Sequence, residues 1–387
     1  MSMAAYICKN ILYTGGFVVS NGVPTAPNFE QWLEAWKLPE NAVLPQDLEK
    51  LKRFTEVVTT DAEPQVGQTP KEVIWTKNKA KLYHYAPGKK KTNKVPILFV
   101  YALINRAYIL DLYPGNSLIE YLTNEGHDVY LIDWGTAGYE DRHMKLDDYI
   151  VDYIPRAVKK VLKHAGAKEI TMYGYCMGGT MTTIFTSLYN DILPIRNLVL
   201  MTSPTDFEDA GLYSNWLNEK TFQLDKLVDT FGNIPFEMID YGNRLLSPIS
   251  NSMGTYVNLA SRIDNDNAVL TWKLMQKWLN DGVPFPGESY RQWIRDFYQQ
   301  NKLVKGELEV RGKEVNLSNI KANLLNICAT RDNIVQPDQI RALNKVVSSK
   351  VNTLHEVPTG HVSVCTGRYA QKEIYPYISE WLKKNSK

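Results

Sequence analysis

Seven residues, Tyr173-Gly174-Tyr175-Cys176-Met177-Gly178-Gly179, constrain this chain more than any other stretch. Upstream, Glu169 to Tyr173 reads as a strand and downstream Thr180 to Leu188 reads as a helix, so Cys176 falls on a sharp strand-to-helix turn. Gly174 and Gly178 have no Cβ, which lets the turn tighten and the helix pack close to the strand. Such a turn lifts one side chain above a parallel sheet. It also sets the sulfur at a helix N-terminus, where the positive end of the dipole favours the attacking thiolate. Serine is the commoner nucleophile at this turn, and cysteine points to acyl transfer through a thioester. The N–H of Met177 then faces a developing oxyanion. Taken alone, the motif also fits a buried cysteine packed among small residues.

A nucleophile of this kind needs a base, and the base needs an orienting carboxylate, in the chain order nucleophile, acid, histidine. Asn323 to Ala329 reads as a strand, and Asp332 follows just past its end. Thr353 to Val357 reads as the next strand, with His361 in the loop after it. All three candidates, Cys176, Asp332 and His361, therefore lie beyond the C-terminal ends of strands, where open α/β sheets carry their sites. The other histidines, His84, His127, His143, His164 and His355, are read as packed or surface residues.

Strands alternate with helices from Glu72 to Met201 and again after Ala322, which specifies an α/β, mainly parallel, doubly wound sheet. Val73–Trp75 and Lys81–Tyr85 read as a leading antiparallel pair, and Val95–Tyr101 as a buried central strand. Ser117 and Glu120 form a capping-box pattern for a helix that ends at Gly126. Leu146, Ile150, Ile154, Val158, Val161 and Leu162 make one apolar helical face, with Pro155 marking a kink or a late start. Three parts follow: an N-terminal preface of short helices over 1–62, a core over 63–203 and 323–387, and a largely helical cap insertion over 204–322. Trp216, Trp272, Trp278 and Trp293 lie in that insertion, which is placed to cover the site. In the preface, Phe29–Trp36 and Leu48–Val58 read as helices. Trp32 and Trp36 share a face, so a partner-binding helix is the alternative to simple packing on the core.

With 387 residues, 44% of them hydrophobic, the chain can bury a large core. Acidic and basic residues are mixed and the net charge is +2, so no nucleic-acid partner is expected. The basic run Lys89-Lys90-Lys91 with Lys94 reads as a solvated hairpin loop. Cys8, Cys176, Cys328 and Cys365 have no paired spacing, which argues for a reducing compartment and against disulfides or a zinc site. No stretch has the length of a membrane-spanning helix. Ala4–Val19, interrupted by Lys9 and Asn10, lacks the basic flank of a signal peptide, and a cytoplasmic protein is expected.

Cys176 within Gly-Tyr-Cys-Met-Gly-Gly, Tyr101-Ala102-Leu103-Ile104-Asn105-Arg106, and Tyr130-Leu131-Ile132-Asp133-Trp134-Gly135 followed by Asp141-Arg142 resemble the catalytic subunit of polyhydroxyalkanoate synthases. The resemblance runs from about Pro64 to the C-terminus. Pro70-Lys71-Glu72-Val73-Ile74-Trp75 and Pro284 to Trp293 look like the short two-component enzymes, nearest the Bacillus-like class IV, with class III next. It implies an α/β-hydrolase fold with an inserted helical cap, and polymerisation of (R)-3-hydroxyacyl-CoA, mainly 3-hydroxybutyryl-CoA, with release of CoA. It also implies a small R-type (or E-type) partner subunit, an oligomer, contact with the growing polyester and a granule-surface location. No metal or redox cofactor is expected. Oxyanion donors are expected at the backbone of Met177 and of Ile104, in the turn after the central strand. Asp133 is read as a structural strand end and Arg142 as an ion-pair partner. A thioesterase or polyester depolymerase, sharing fold and triad, is the neighbouring reading, and a non-catalytic granule scaffold the more distant one.

Overall fold

Eight strands make one sheet: β1 (Glu72–Lys77), β2 (Ala80–Tyr85), β3 (Ile97–Val100), β4 (Val129–Asp133), β5 (Ile170–Tyr175), β6 (Ile195–Met201), β7 (Asn323–Ala329) and β8 (Asn352–Val357). The computed structural model describes residues 45–60, 63–88, 90–91, 93–248 and 254–387. Within the sheet the order is β1-β2-β4-β3-β5-β6-β7-β8. β1 and β2 form an antiparallel hairpin and β2 runs antiparallel to β4, while every other neighbouring pair is parallel. β3 and β5 are buried at every residue, as strands covered on both faces must be. The chain leaves β3 for β4 on one side and returns to β5 on the other. That reversal opens the crevice in which α/β sheets hold ligands.

The basic stretch around Lys90 and Lys91 joins β2 to β3, which are separated by β4, so it is a crossover and not the hairpin loop expected. Lys91 is also not simply solvated: its ammonium meets Asp128 Oδ2 at 2.7 Å. Lys89 lies outside the described residues.

Four helices matter for the site and its frame: α1 (Pro45–Thr59), α2 (Leu118–Asn124), α3 (Ile154–Ala165) and α4 (Met177–Tyr189). At the start of α2, Ser117 Oγ accepts the Glu120 N–H at 2.9 Å. The Glu120 carboxylate takes the Gly115 N–H at 2.6 Å, so it caps the preceding turn instead of closing a reciprocal box. Pro155 sits in the first turn of α3, after a π-helical turn over Tyr149–Tyr153, which is the late start rather than a kink.

The chain divides into two compact units, one of residues up to Pro64 with Ile249–Met275, the other Gln65–Pro248 with Gln276–Lys387. The segment 204–322, expected as one insertion, thus contributes to both. In the first unit, α1 lays Phe54, Val57 and Val58 against Leu259, Ile263, Val269, Tyr256 and Trp272, and Lys50 pairs with Asp264 at 3.0 Å. The expected helix over Phe29–Trp36 lies outside the described residues. The second unit holds the sheet and further helices between β6 and β7. Among the described residues, no helix is long and apolar enough to cross a membrane.

Candidate active site

Cys176 occupies the first position after β5 with φ +52° and ψ −128°, a conformation that L side chains adopt only under strain. Its backbone is clamped on both sides. The Cys176 N–H donates to Met201 O on β6 at 3.0 Å, and its carbonyl accepts from Gly179 N at 2.9 Å to open α4. The glycines make this possible. A Cβ on Gly174 would stand 2.3 Å from Gly179 Cα, and one on Gly178 would stand 2.3 Å from Val100 O. The close approach of α4 to its own strand β5 therefore needs Gly174 bare, and its approach to β3 needs Gly178 bare. Met177 begins α4, so its N–H is among the first-turn amides that a helix leaves without an intrahelical acceptor.

Two loops from β7 and β8 meet beside this turn. Arg331 N donates to Thr359 O at 3.0 Å, tying the Asp332 loop to the His361 loop. His361 Nδ1 lies 2.6 Å from Asp332 Oδ2, and Asp332 Oδ1 accepts the N–H groups of Ile334 at 2.8 Å and Val335 at 2.9 Å. The Asp332 side chain has no exposure to solvent and that of His361 only 7%. Burial by itself pushes the His361 imidazole down, but the Asp332 carboxylate and the Cys176 sulfur, each charge-coupled and hydrogen-bonded to the ring, hold it well above the usual histidine range. The three residues singled out from the sequence are thus brought together, with the imidazole engaged by acid and thiol.

Four tyrosines missing from the sequence-based site surround it. Tyr175, inside the turn motif itself, donates its hydroxyl to the His361 carbonyl at 2.9 Å and stacks against Tyr101, ring centroids 5.5 Å apart. Its place between Gly174 and Cys176 was the signal. Tyr213 and Tyr298, from the segment between β6 and β7, meet edge to face at 5.7 Å. Burial raises both phenols first, and negative charge at Cys176 raises them further, which puts these rings within electrostatic reach of the sulfur.

Ile104 lies in the turn after β3, and its carbonyl accepts the Val283 N–H at 3.1 Å. Nearby, Trp278 Nε1 donates to Arg106 O at 2.9 Å and Tyr108 donates to Asp281 Oδ2 at 3.1 Å. Trp134 Nε1 donates to Tyr101 O at 2.9 Å, holding the start of the same turn. Asp133 Oδ1 accepts the Gly135 N–H at 2.9 Å, as a strand-end cap should. Arg142, expected to pair with a carboxylate, instead donates to Tyr139 O at 3.0 Å and lies over the Tyr139 ring at 4.1 Å. Asp141, its neighbour, is taken by Lys79 at 2.5 Å.

Comparison with known proteins gives this geometry its lineage. A family model described as alpha/beta hydrolase fold matches residues 95–367, and one described as Poly-beta-hydroxybutyrate polymerase (PhaC) N-terminus matches residues 42–122, reaching further upstream than Pro64. The chain is 37% identical over 322 residues to the poly(3-hydroxyalkanoate) polymerase subunit PhaC of Thiocystis violacea, covering 83% of this chain and 90% of that protein. It is 38% identical over 319 residues to the Allochromatium vinosum subunit of the same name, covering 82% and 89%. Against the Haloferax mediterranei subunit the identity is 38% over 328 residues, with 84% of this chain covered and 66% of the relative's length spanned. Among solved structures, a candidate lipase from Sulfolobus solfataricus superposes with a TM-score of 0.54 at 14% identity, covering 84% of this chain and 97% of that one. That likeness establishes the fold alone. With an α/β-hydrolase sheet and identities of this length, the chain belongs to the PhaC family of poly(3-hydroxyalkanoate) polymerase subunits.

Proposed function

We propose that this protein polymerises (R)-3-hydroxyacyl-CoA, mainly 3-hydroxybutyryl-CoA, into polyester with release of CoA through an acyl-enzyme on Cys176. The observation that carries the reading is a cysteine at the strained turn beside the buried His361–Asp332 pair, in a chain 37% identical to a named polymerase subunit over nine-tenths of that subunit's length. Nε2 of His361 takes the Cys176 proton, and the thiolate adds to the substrate thioester carbonyl. The Met177 and Ile104 amides hold the oxyanion, at about 3 to 4 kcal/mol per donor. Collapse expels the CoA thiolate, which leaves with the proton from His361. The 3-hydroxyl of a second unit or of the chain end then loses its proton to His361 and attacks the acyl-Cys176. An ester forms and the thiol is regenerated.

Asp332 acts in this scheme through His361. Both of its oxygens are already engaged and its side chain is fully buried, which argues against a direct role on the hydroxyl. The chemistry calls for no metal or redox cofactor. The chain is 37% and 38% identical to the Thiocystis and Allochromatium subunits but only 27% identical to the Cupriavidus necator subunit, which supports the short, two-component type, class IV or class III. We infer accordingly a small R-type or E-type partner, an oligomeric assembly, a cytoplasmic setting and work at the granule surface.

The test is CoA release from (R)-3-hydroxybutyryl-CoA by the purified chain, with and without a co-expressed partner, while insoluble product is collected. Polyester that increases with the partner is the expected result. Release accompanied only by free 3-hydroxybutyrate moves the protein to the hydrolases, and appreciable release by Cys176→Ala removes the nucleophile assignment.

A further inference from the structure

Far along the sheet from β5, at its antiparallel edge, three strands carry a row of side chains in register. Glu72 on β1 stands directly across from His84 on β2, and His84 across from Tyr130 on β4. His164, in the last turn of α3, is added to the row, its ring edge to face with His84 at 4.6 Å. Three potential ligand atoms converge. His84 Nδ1 is 3.0 Å and His164 Nε2 is 3.9 Å from Glu72 Oε1, and all three lie within 4.8 Å of one another. Ligands about 2.0 to 2.2 Å from a tetrahedral ion stand about 3.3 Å apart, so closure needs shifts of roughly an ångström.

The surroundings are those of a metal site as well. His84 Nε2 is 2.9 Å from Asp128 Oδ1, a carboxylate that is itself buried and held by Lys91 at 2.7 Å. His164 Nδ1 is 2.9 Å from the Tyr130 hydroxyl. For His84 the nitrogen facing away from Glu72 meets a carboxylate, which can only accept, so Nε2 carries the proton and the Nδ1 lone pair faces Glu72; for His164 the corresponding partner is a hydroxyl, which serves either tautomer. Both ring nitrogens of His84 face carboxylates, Glu72 at 3.0 Å and Asp128 at 2.9 Å, so the ring is held between anionic partners on either side.

We propose that Glu72, His84 and His164 form a binding site for a divalent ion of the zinc class, with Asp128 and Tyr130 as outer partners and water completing the coordination. Two imidazoles and one carboxylate suit zinc and its neighbours better than magnesium or calcium, which prefer all-oxygen sets. The ion would pin the β1–β2 hairpin to the C-terminal turn of α3. This site is separate from the thiol chemistry at Cys176 and does not depend on the polymerase reading.

The test is calorimetric titration of the full-length protein with ZnCl2, in wild type and in a Cys176→Ala background that removes the competing thiol. One equivalent bound in the Cys176→Ala protein is expected, with a rise in its thermal midpoint. His164→Gln, at a partly exposed position that does not threaten folding, should weaken that binding at least about tenfold, as should Asp128→Asn through His84. Affinity unchanged by His164→Gln, or absence of binding to the Cys176→Ala protein at tens of micromolar zinc, overturns the site.

Discussion

His361 Nδ1 sits 2.6 Å from Asp332 Oδ2, and the second oxygen of that carboxylate is already claimed by the amides of Ile334 and Val335. An acid so fully engaged orients and charges its histidine. Asp332→Asn should therefore lower acylation and elongation together, by roughly a hundredfold to ten-thousandfold. Single-turnover CoA release reads the first step and polyester formation the second. A defect confined to elongation would make Asp332 the direct base for the attacking hydroxyl.

Gly179 faces Ser203 with no room for a methyl group: a Cβ would lie 1.7 Å from Ser203 Oγ and 2.4 Å from its Cβ. Gly179→Ala is expected to cost about 3 kcal/mol, the upper range for overpacking a core. Denaturant titration measures it. Adding Ser203→Gly should recover a good part of the loss, a coupling that a general helix or backbone defect would not show.

The positive φ of Cys176 predicts an inverted order of stabilities. Alanine normally outranks glycine, but at this turn Cys176→Gly should be more stable than Cys176→Ala by about 1 kcal/mol, because glycine alone adopts the conformation without strain. Both variants lose CoA release. Comparing their thermal midpoints tests whether the strain stays in the fold when the sulfur is gone.

His127 is fully buried between Ser379 and Asn93, and burial, with a smaller contribution from Lys383, pushes its imidazole down to about 4. A folded value below the unfolded one means that unfolding takes up a proton between the two. The stability due to a neutral His127 is present above about pH 6.5 and falls away toward pH 4, by about 3 kcal/mol in all. The stability difference between wild type and His127→Gln should narrow by that order over this range. A gap independent of pH would mean that the ring stays protonated inside the fold.

The sheet was legible because its signals are local. Continuous burial at β3 and β5 and bare glycines around Cys176 each follow from what the immediate backbone must do. Asp332 and His361 were legible by position, since both follow strand ends in the required order. What escaped depends on residues far apart in the chain. Tyr213 and Tyr298 carry no local signal of their place beside the thiol, and His84 and His164 read only as packed or surface histidines, because nothing in their flanking residues tells which side chains register across three strands and a helix. The crossover between β2 and β3 was misread as a hairpin for the same reason: strand order is not a local property.

Trp278, Asp281 and Val283 hold the turn after β3 at Arg106, Tyr108 and Ile104. Those three bonds act as an interlock. The 278–283 segment cannot swing away, to admit a bulky chain end or let product pass, without dragging the Ile104 backbone with it. If the Ile104 amide holds the oxyanion as proposed, such an opening would displace that donor, and wide access for solvent and full reactivity toward a carbonyl would then belong to different moments of the cycle.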